Sequence, residues 1–262
     1  MEALVVVPTL GQRSELLRRT LESVCGQRPR APRTVVVTAG DTATVRSALR
    51  DLDVEVVAQR SAGLSAAINE GWLAAGGAAD AWTWIGDDDE LLPGSLERTC
   101  GELARRPGSS MVYGRCRYVD TAGRTLWTTR PGRLAALLAP AGPNLIPQPG
   151  SLLRASAVRR VGMLDPDLRY AMDLDLFLRL RTVGSLTYLP CELAAFRWHA
   201  GSTTVANQAA STAELRAVQM RYAPGHGPRA RLARPVAAAV GRAAYNVDRL
   251  RGRLDRTAAP VS

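Results

Sequence analysis

The run Ile85-Gly86-Asp87-Asp88-Asp89 sets three consecutive carboxylates directly after an apolar, strand-like segment. Buried together without a cation, such groups repel one another by several kcal/mol, so they want either open solvent or a metal. A hard divalent ion meets that need. Mg2+ or Mn2+ takes oxygen ligands and keeps positions open for phosphate oxygens, so aspartates at i and i+2 beyond a strand can hold a metal that bridges a diphosphate. The same acids also suit the first turn of a helix entered at Pro93, where the macrodipole favours negative charge. A second acidic constellation is Tyr170-Ala171-Met172-Asp173-Leu174-Asp175-Leu176-Phe177. On a helix Asp173 and Asp175 lie about 200° apart around the axis, so one can face a site while the other is solvated or caps the helix start.

Positioning these acids requires regular elements, and the hydrophobic pattern supplies them. Ala3 to Val7 is a continuous valine-rich run ending at Pro8, suited to a strand buried on both faces, and Leu16, Leu17, Leu21 and Val24 then recur at helical spacing. The alternation continues with Thr34 to Val37, Thr42 to Leu52, Val54 to Val57, Leu64 to Ala75 and Ala81 to Ile85. Short strands separated by helical patterns imply right-handed crossovers and a mainly parallel sheet. Ligands collect at the carboxyl ends of such strands, so the loops after Val7, Val37, Val57 and Ile85 are the places for chemistry.

From about Ser110 the pattern turns irregular. Met111 to Tyr118 reads as a strand, Asp120 to Arg124 as a hairpin, Pro140 to Gly150 as a loop and Met172 to Arg181 as a helix. Beyond Thr212 the chain is rich in alanine and arginine and favours helix apart from a break at Pro224 to Pro228.

With 262 residues, 46% of them hydrophobic and 22% charged, the chain can bury a sizeable core and is neither disordered nor collagen-like. Its basic residues are all arginine, and their placement matters more than the net +10. From Arg216 onward ten arginines face only Asp248 and Asp255, which leaves the preceding residues nearly neutral. That split disfavours a nucleic-acid surface and points to a basic appendage. Within it Leu232, Val236, Val240, Tyr245, Leu250 and Leu254 fall at near-helical intervals. They suit either an amphipathic anchor on an anionic membrane or a helix packed on its own protein or a twin subunit. Cys25, Cys100, Cys116 and Cys191 are dispersed without zinc or disulfide spacing. The short apolar start lacks the form of a secretory signal, and no stretch reaches the roughly 20 apolar residues of a membrane span. The expected location is cytoplasmic, with peripheral attachment to the inner face of the plasma membrane open through the tail.

Several of these segments together resemble the family 2 glycosyltransferases of the GT-A fold. The acidic turn with Leu92-Pro93-Gly94 is similar to that family's DxD-like motif and the Pro-Gly segment after it. Val5-Val6-Val7-Pro8-Thr9 resembles its first strand, Thr20-Leu21-Glu22-Ser23-Val24 with Gln27 its first helix, and Gly63-Leu64-Ser65-Ala66-Ala67-Ile68-Asn69-Glu70-Gly71 its Gly-x-x-x-Ala-x-Asn-x-Gly helix. The resemblance spans about residues 3 to 205. It implies an α/β GT-A architecture: a mainly parallel nucleotide-binding sheet flanked by helices (1–109) and an irregular α+β acceptor half (110–213); the basic helical C-terminal extension (214–262), read from composition, lies outside the resemblance.

It also implies roles. Asp89 and Asp87, with His199 of Phe196-Arg197-Trp198-His199-Ala200-Gly201-Ser202, would hold Mg2+ or Mn2+. Pro8, Thr9, Thr38, Asp41, Arg60, Gly63, Asn69, Asp87 and Asp88 would contact a nucleotide-diphosphate sugar. Asp173 would act as the general base on an acceptor hydroxyl, borne by a glycan or a lipid-linked saccharide. Gly63 permits a close turn past a ligand, and Arg60 stands within reach of a diphosphate. Two departures stand out. The acid that usually precedes Asp173 is Met172, and the turn after the second strand reads Thr38-Ala39-Gly40-Asp41, in which Asp41 either reads the base from a shifted position or caps the next helix. Asn69 can likewise pack its helix, and Asp173 can serve as an N-cap. The competing functional classes are a catalytically silent relative that scaffolds envelope glycan assembly and a sugar-phosphate nucleotidyltransferase. The latter would need a Gly-rich basic loop where Pro8-Thr9-Leu10-Gly11-Gln12-Arg13 stands.

Overall fold

The computed structural model describes residues 1–75, 79–140, 142, 144–198 and 207–222. His199 and the extension from residue 223 onward, with its interspersed apolar positions, lie outside the described residues.

The amino-terminal half alternates as its pattern predicts. Strands β1 (Ala3–Thr9), β2 (Arg33–Thr38), β3 (Glu55–Ala58) and β4 (Ala81–Trp84) are joined by helices α1 (Ser14–Cys25), α2 (Thr42–Ala48) and α3 (Leu64–Ala74). β1 pairs in parallel with β2 on one side and β4 on the other, and β3 lies beyond β2. Every residue of β1 is buried. Its alternating side chains divide between two cores, Leu4 and Val6 on one face of the sheet and Ala3, Val5 and Val7 on the other. Helix α2 stops at Ala48, short of the expected Leu52, because Leu49 leaves helical geometry and the chain turns through Leu52 before entering β3.

The remaining elements are β5 (Glu90–Leu91), α4 (Ser95–Arg105), β6 (Ser109–Val119), β7 (Thr125–Thr128), α5 (Leu134–Leu138), β8 (Leu152–Arg154), α6 (Ala155–Val161), α7 (Met172–Leu180), β9 (Ser185–Arg197) and α8 (Gln208–Tyr222). The strands of this half continue the same sheet, in the order β3-β2-β1-β4-β8-β6-β9-β5, with β7 paired to β6. β9, the longest strand, runs parallel to β6 and was not legible as a strand from its polar-interrupted sequence. Helices α1, α2 and α4 cover one face; α3, α6 and α7 cover the other. α8 belongs to that second layer. It buries Val218 completely and sends Arg221 to Asp165 at 3.3 Å, so residues up to Tyr222 are part of the packed body.

α3 lies close on the sheet because Gly71 has no side chain. A Cβ there would stand 2.5 Å from Val6 Cγ1 and 3.0 Å from Val37 Cγ2, inside contact distance. The close approach seats Trp72 in the core, stacked on Trp82 at 5.4 Å and edge-on to Trp84 at 5.7 Å. Gly71→Ala is therefore expected to destabilise the protein by roughly 1–3 kcal/mol through overpacking. Gly101→Ala, on α4 where a Cβ meets nothing within 4 Å, should be neutral or stabilising by up to about 1 kcal/mol. Denaturant unfolding of the two variants checks the pair; equal stabilities would refute the packing argument.

Candidate active site

The carboxyl ends of β1, β2 and β4 meet in a set of tight turns. Thr9 and Thr38 close equivalent turns, each accepting through Oγ1 the N–H of the glycine two residues on, Gly11 and Gly40, at 3.0 Å. The turns abut, with Ala39 N–H donating to the Thr9 carbonyl at 3.0 Å. Asp41, exposed beyond them, caps α2 through the Thr44 N–H at 2.9 Å and the Thr44 hydroxyl at 2.5 Å, bonds that hold its carboxyl below the usual range. Of the two readings of Asp41, the capping one describes its contacts.

Past β4 the three acids are held by different partners. Asp87, buried, receives the Thr9 hydroxyl on Oδ2 at 2.6 Å and the Arg13 guanidinium on Oδ1 at 2.5 Å. The other arm of Arg13 reaches Asp88 Oδ2 at 2.5 Å, so a single fork bridges both acids. Burial pushes the Asp87 carboxyl up while Thr9 and Arg13 pull it back. Asp89 is only 4% exposed, and its Oδ1 accepts the Arg197 backbone N–H at 2.9 Å. Burial, followed by the charge of Asp88, pushes it up to about 8. The buried Arg197 side chain also donates to the carbonyls of Asp88, Asp120 and Thr121 and to Glu90 Oε1, each at 3.1 Å, fastening the acidic turn to the β6–β7 hairpin.

Gly86 shapes the remaining surface. A Cβ on it would stand 3.0 Å from Asp89 Oδ2 and 3.2 Å from Asp88 Oδ1, so these two oxygens turn back over the same backbone atom. Hard oxygen donors, crowded by like charge and screened from water, fit a divalent cation that keeps open positions. Among the described residues no three His, Cys, Asp or Glu side chains close on a common point. The converging pair is Asp88 with Asp89, whereas Asp87 gives both oxygens to Thr9 and Arg13.

Asp173 stands in the first turn of α7 without acting as its N-cap, the cap position being Ala171. Its Oδ1 accepts the Leu174 N–H at 2.7 Å and its Oδ2 the Asn144 amide at 3.0 Å. Burial raises it to about 6, against the lowering effect of those two bonds and with the help of the nearby Glu214 charge. Asp175 points elsewhere, as the helical angle requires. It is 2% exposed, bonded to Arg179 Nε at 2.9 Å and to the Tyr222 hydroxyl at 2.8 Å.

Two links bring Asp173 to the strand ends. At the start of α3 the Ser65 hydroxyl donates to the Leu168 carbonyl at 3.0 Å and lies 2.9 Å from Met172 Sδ. The loop before β8 also spans the gap, with Gln148 Nε2 donating to the Trp84 carbonyl at 2.7 Å while Asn144 holds Asp173. Gly63, at φ 98°, opens α3 with open space where its Cβ would lie. Arg60 is exposed in the preceding loop, which Glu70 braces by accepting the N–H groups of Arg60 and Ser61 at 2.8 Å each. Asn69 is turned away from the strand ends. Its amide donates to the Leu164 carbonyl at 2.8 Å and accepts the Leu164 N–H at 3.1 Å, tying α3 to the segment after α6. Arg13 and Asn144 escaped the sequence reading, as did the bracing role of Arg197. The only signal for Arg13 was a lone cation in the loop facing three acids, and Asn144 had none.

The chain shares its fold with several solved structures. S. aureus TarS 1-349 in complex with UDP superposes with a TM-score of 0.63 at 13% identity, over 92% of this chain and 70% of that one. The mannosyltransferase PcManGT from Pyrobaculum calidifontis, in complex with GDP-Man and Mn2+, gives 0.63 at 18%, over 94% and 75%. TarS 1-349 with UDP-GlcNAc gives 0.58 at 15%, over 77% and 60%. Against other TarS structures the match covers 60% and 37% of their length. No curated protein matches the sequence. The family model described as glycosyl transferase family 2 matches residues 4–161, well over half of the chain and including the acidic turn. With that match and the GT-A arrangement of strands and acidic turn, the chain belongs to glycosyl transferase family 2.

Proposed function

We propose that the protein moves a glycosyl group from a nucleotide-diphosphate sugar to an acceptor hydroxyl, with inversion and with the help of Mg2+ or Mn2+. The observation that carries the reading is the pairing, at one end of the sheet, of a cation-seeking acidic turn with a separate carboxyl, Asp173, raised to about 6. The nucleotide lies over the turns of Thr9 and Thr38, with Pro8 at the strand end and Gly63 and Arg60 along the diphosphate. Asp88 and Asp89 would hold the divalent ion, which when bound would supply positive charge against the departing diphosphate. Asp87 anchors Thr9 and Arg13 against that centre. Asp173 removes the acceptor proton, and Asn144 fixes which carboxylate oxygen meets it. Attack opposite the leaving diphosphate makes the transfer inverting. Neighbours of the same fold are seen with UDP, UDP-GlcNAc and GDP-Man, which supports a sugar nucleotide without choosing its base.

His199 completes the metal site in this reading. The acceptor is a glycan or lipid-linked saccharide, and the arginine-rich chain beyond Tyr222 attaches the enzyme to the anionic inner face of the membrane. No described helix is long and apolar enough to cross a bilayer. Asp173, with its oriented but neutral partner, argues against a catalytically silent scaffold.

Asp89→Ala should abolish Mn2+-dependent donor binding in calorimetric titration, and unchanged metal-dependent affinity would remove Asp89 from the site. Asp173→Asn should leave donor affinity near that of the parent and lower transfer by roughly 100-fold or more, as loss of a general base does. A parental rate in this variant places the base elsewhere.

The base works only when deprotonated, so a carboxyl raised to about 6 gives kcat/KM an acid limb that falls about tenfold per unit below that pH. A profile flat down to pH 4.5 contradicts the assignment.

A further inference from the structure

Helix α8 lies beyond the residues matched by the family model, yet it contacts both supports of Asp173. Glu214, on α8, faces the turn that starts α7. Its Oε1 accepts the N–H groups of Arg169 at 3.0 Å, Tyr170 at 2.6 Å and Ala171 at 2.7 Å, and its Oε2 lies 3.1 Å from the Arg169 nitrogen. Donors at a helix entry have no intrahelical partner, and no local side chain caps α7. An ionised carboxylate brought in from a distant helix therefore does the capping, with charge-assisted bonds stronger than neutral ones. One turn further along α8, Gln219 donates to the carbonyls of Ala139, at 3.0 Å, and Gly142. That steadies the stretch leading to Asn144, whose amide holds Asp173.

We propose that Glu214 is a positioning residue for Asp173: from α8 it fixes the turn from which α7 begins and thereby sets where the catalytic base stands. The proposal rests on the assignment of Asp173 as the base. The surrounding charges are accounted for. On α7 Asp175 is paired with Arg179, on α8 Arg221 reaches Asp165 and Asp175, and the loop contributes the neutral Asn144. Burial is the main reason the Asp173 carboxyl is raised, and the charge of Glu214 adds to it in the same direction. A simple strut would affect stability alone, whereas a positioning residue of this charge must also affect the titration of Asp173.

Full-length Glu214→Gln and Glu214→Ala test the proposal. Gln keeps an acceptor for Tyr170 and Ala171 but removes the charge. With 13C-labelled aspartate, the Asp173 resonance is assigned by its loss in Asp173→Asn. In Glu214→Gln its titration midpoint should move to lower pH, with the acid limb of kcat/KM moving the same way. Glu214→Ala, which loses the cap, should lower kcat by roughly 10- to 100-fold while donor affinity stays near the parental value. If both variants keep the parental midpoint and kcat and lose only thermal stability, Glu214 is a strut and the proposal fails. A midpoint that shifts while the acid limb stays in place upholds the coupling of Glu214 to Asp173 and overturns the assignment of Asp173 as the base.

Discussion

Three adjacent carboxylates at the end of a buried strand are the constraint on which the rest of this structure turns. Two of them, Asp87 and Asp89, are nearly inaccessible to water, and burial together with the like charge of Asp88 raises the affinity of both for protons. The fold answers from two sides. Arg13 arrives from the loop after β1 and bridges Asp87 with Asp88, while Arg197 arrives from the end of β9 and fixes the backbone around Asp88 and Asp89. Arg13 is about half exposed, so its pairing is screened and displaceable. Arg197 is buried and directs its guanidinium mainly to backbone carbonyls, which makes it a brace. Over Gly86, oxygens of Asp88 and Asp89 turn to the same side.

That arrangement explains why β9 matters despite its distance in sequence. It pairs along the length of β6 and in antiparallel fashion with β5, so the short strand just after the acidic turn is anchored to the far half of the chain. The Leu92 N–H to Leu193 carbonyl bond, at 2.9 Å, extends the same anchoring. The acidic turn is thus clamped between the end of β4 and the edge formed by β9, and its geometry depends on contacts more than 100 residues apart.

Local pattern made the first half of the fold legible. Valine runs fully buried on two faces, helical repeats between them and an acid cluster after the fourth strand each express themselves within ten residues or so. The same reasoning set Asp173 and Asp175 on different sides of their helix, and the two carboxyls do have separate partners. It did not find Asn144 or Glu214, because each acts across 29 to 43 residues on a backbone group or a single carboxylate and leaves no periodic trace. Asn69 shows the converse. Its place in a recognisable segment suggested a ligand contact, whereas its amide is satisfied in both directions by Leu164. α8 was obscured by composition, since arginine and alanine mark it as one with the chain that follows, while Val218, Glu214 and Tyr222 make it part of the body.

The two acidic centres differ in the way a transfer reaction requires. Around Asp87 the partners, the Thr9 hydroxyl and the Arg13 guanidinium, favour the charged form. Around Asp173 they are an amide, its own neighbouring N–H and the negative Glu214, which together leave a carboxyl able both to accept a proton near neutrality and to give it up again. A base too strongly stabilised as an anion would be a poor proton acceptor; one fully buried without donors would never ionise. Asn144 and Glu214 act in opposite directions on the same group, the first lowering and the second raising its affinity for the proton. Burial sets the raised proton affinity of Asp173, and the loop before β8 and a helix beyond the family-matched residues adjust it in opposite directions, so sequence change in either one can retune it while the acidic turn stays untouched.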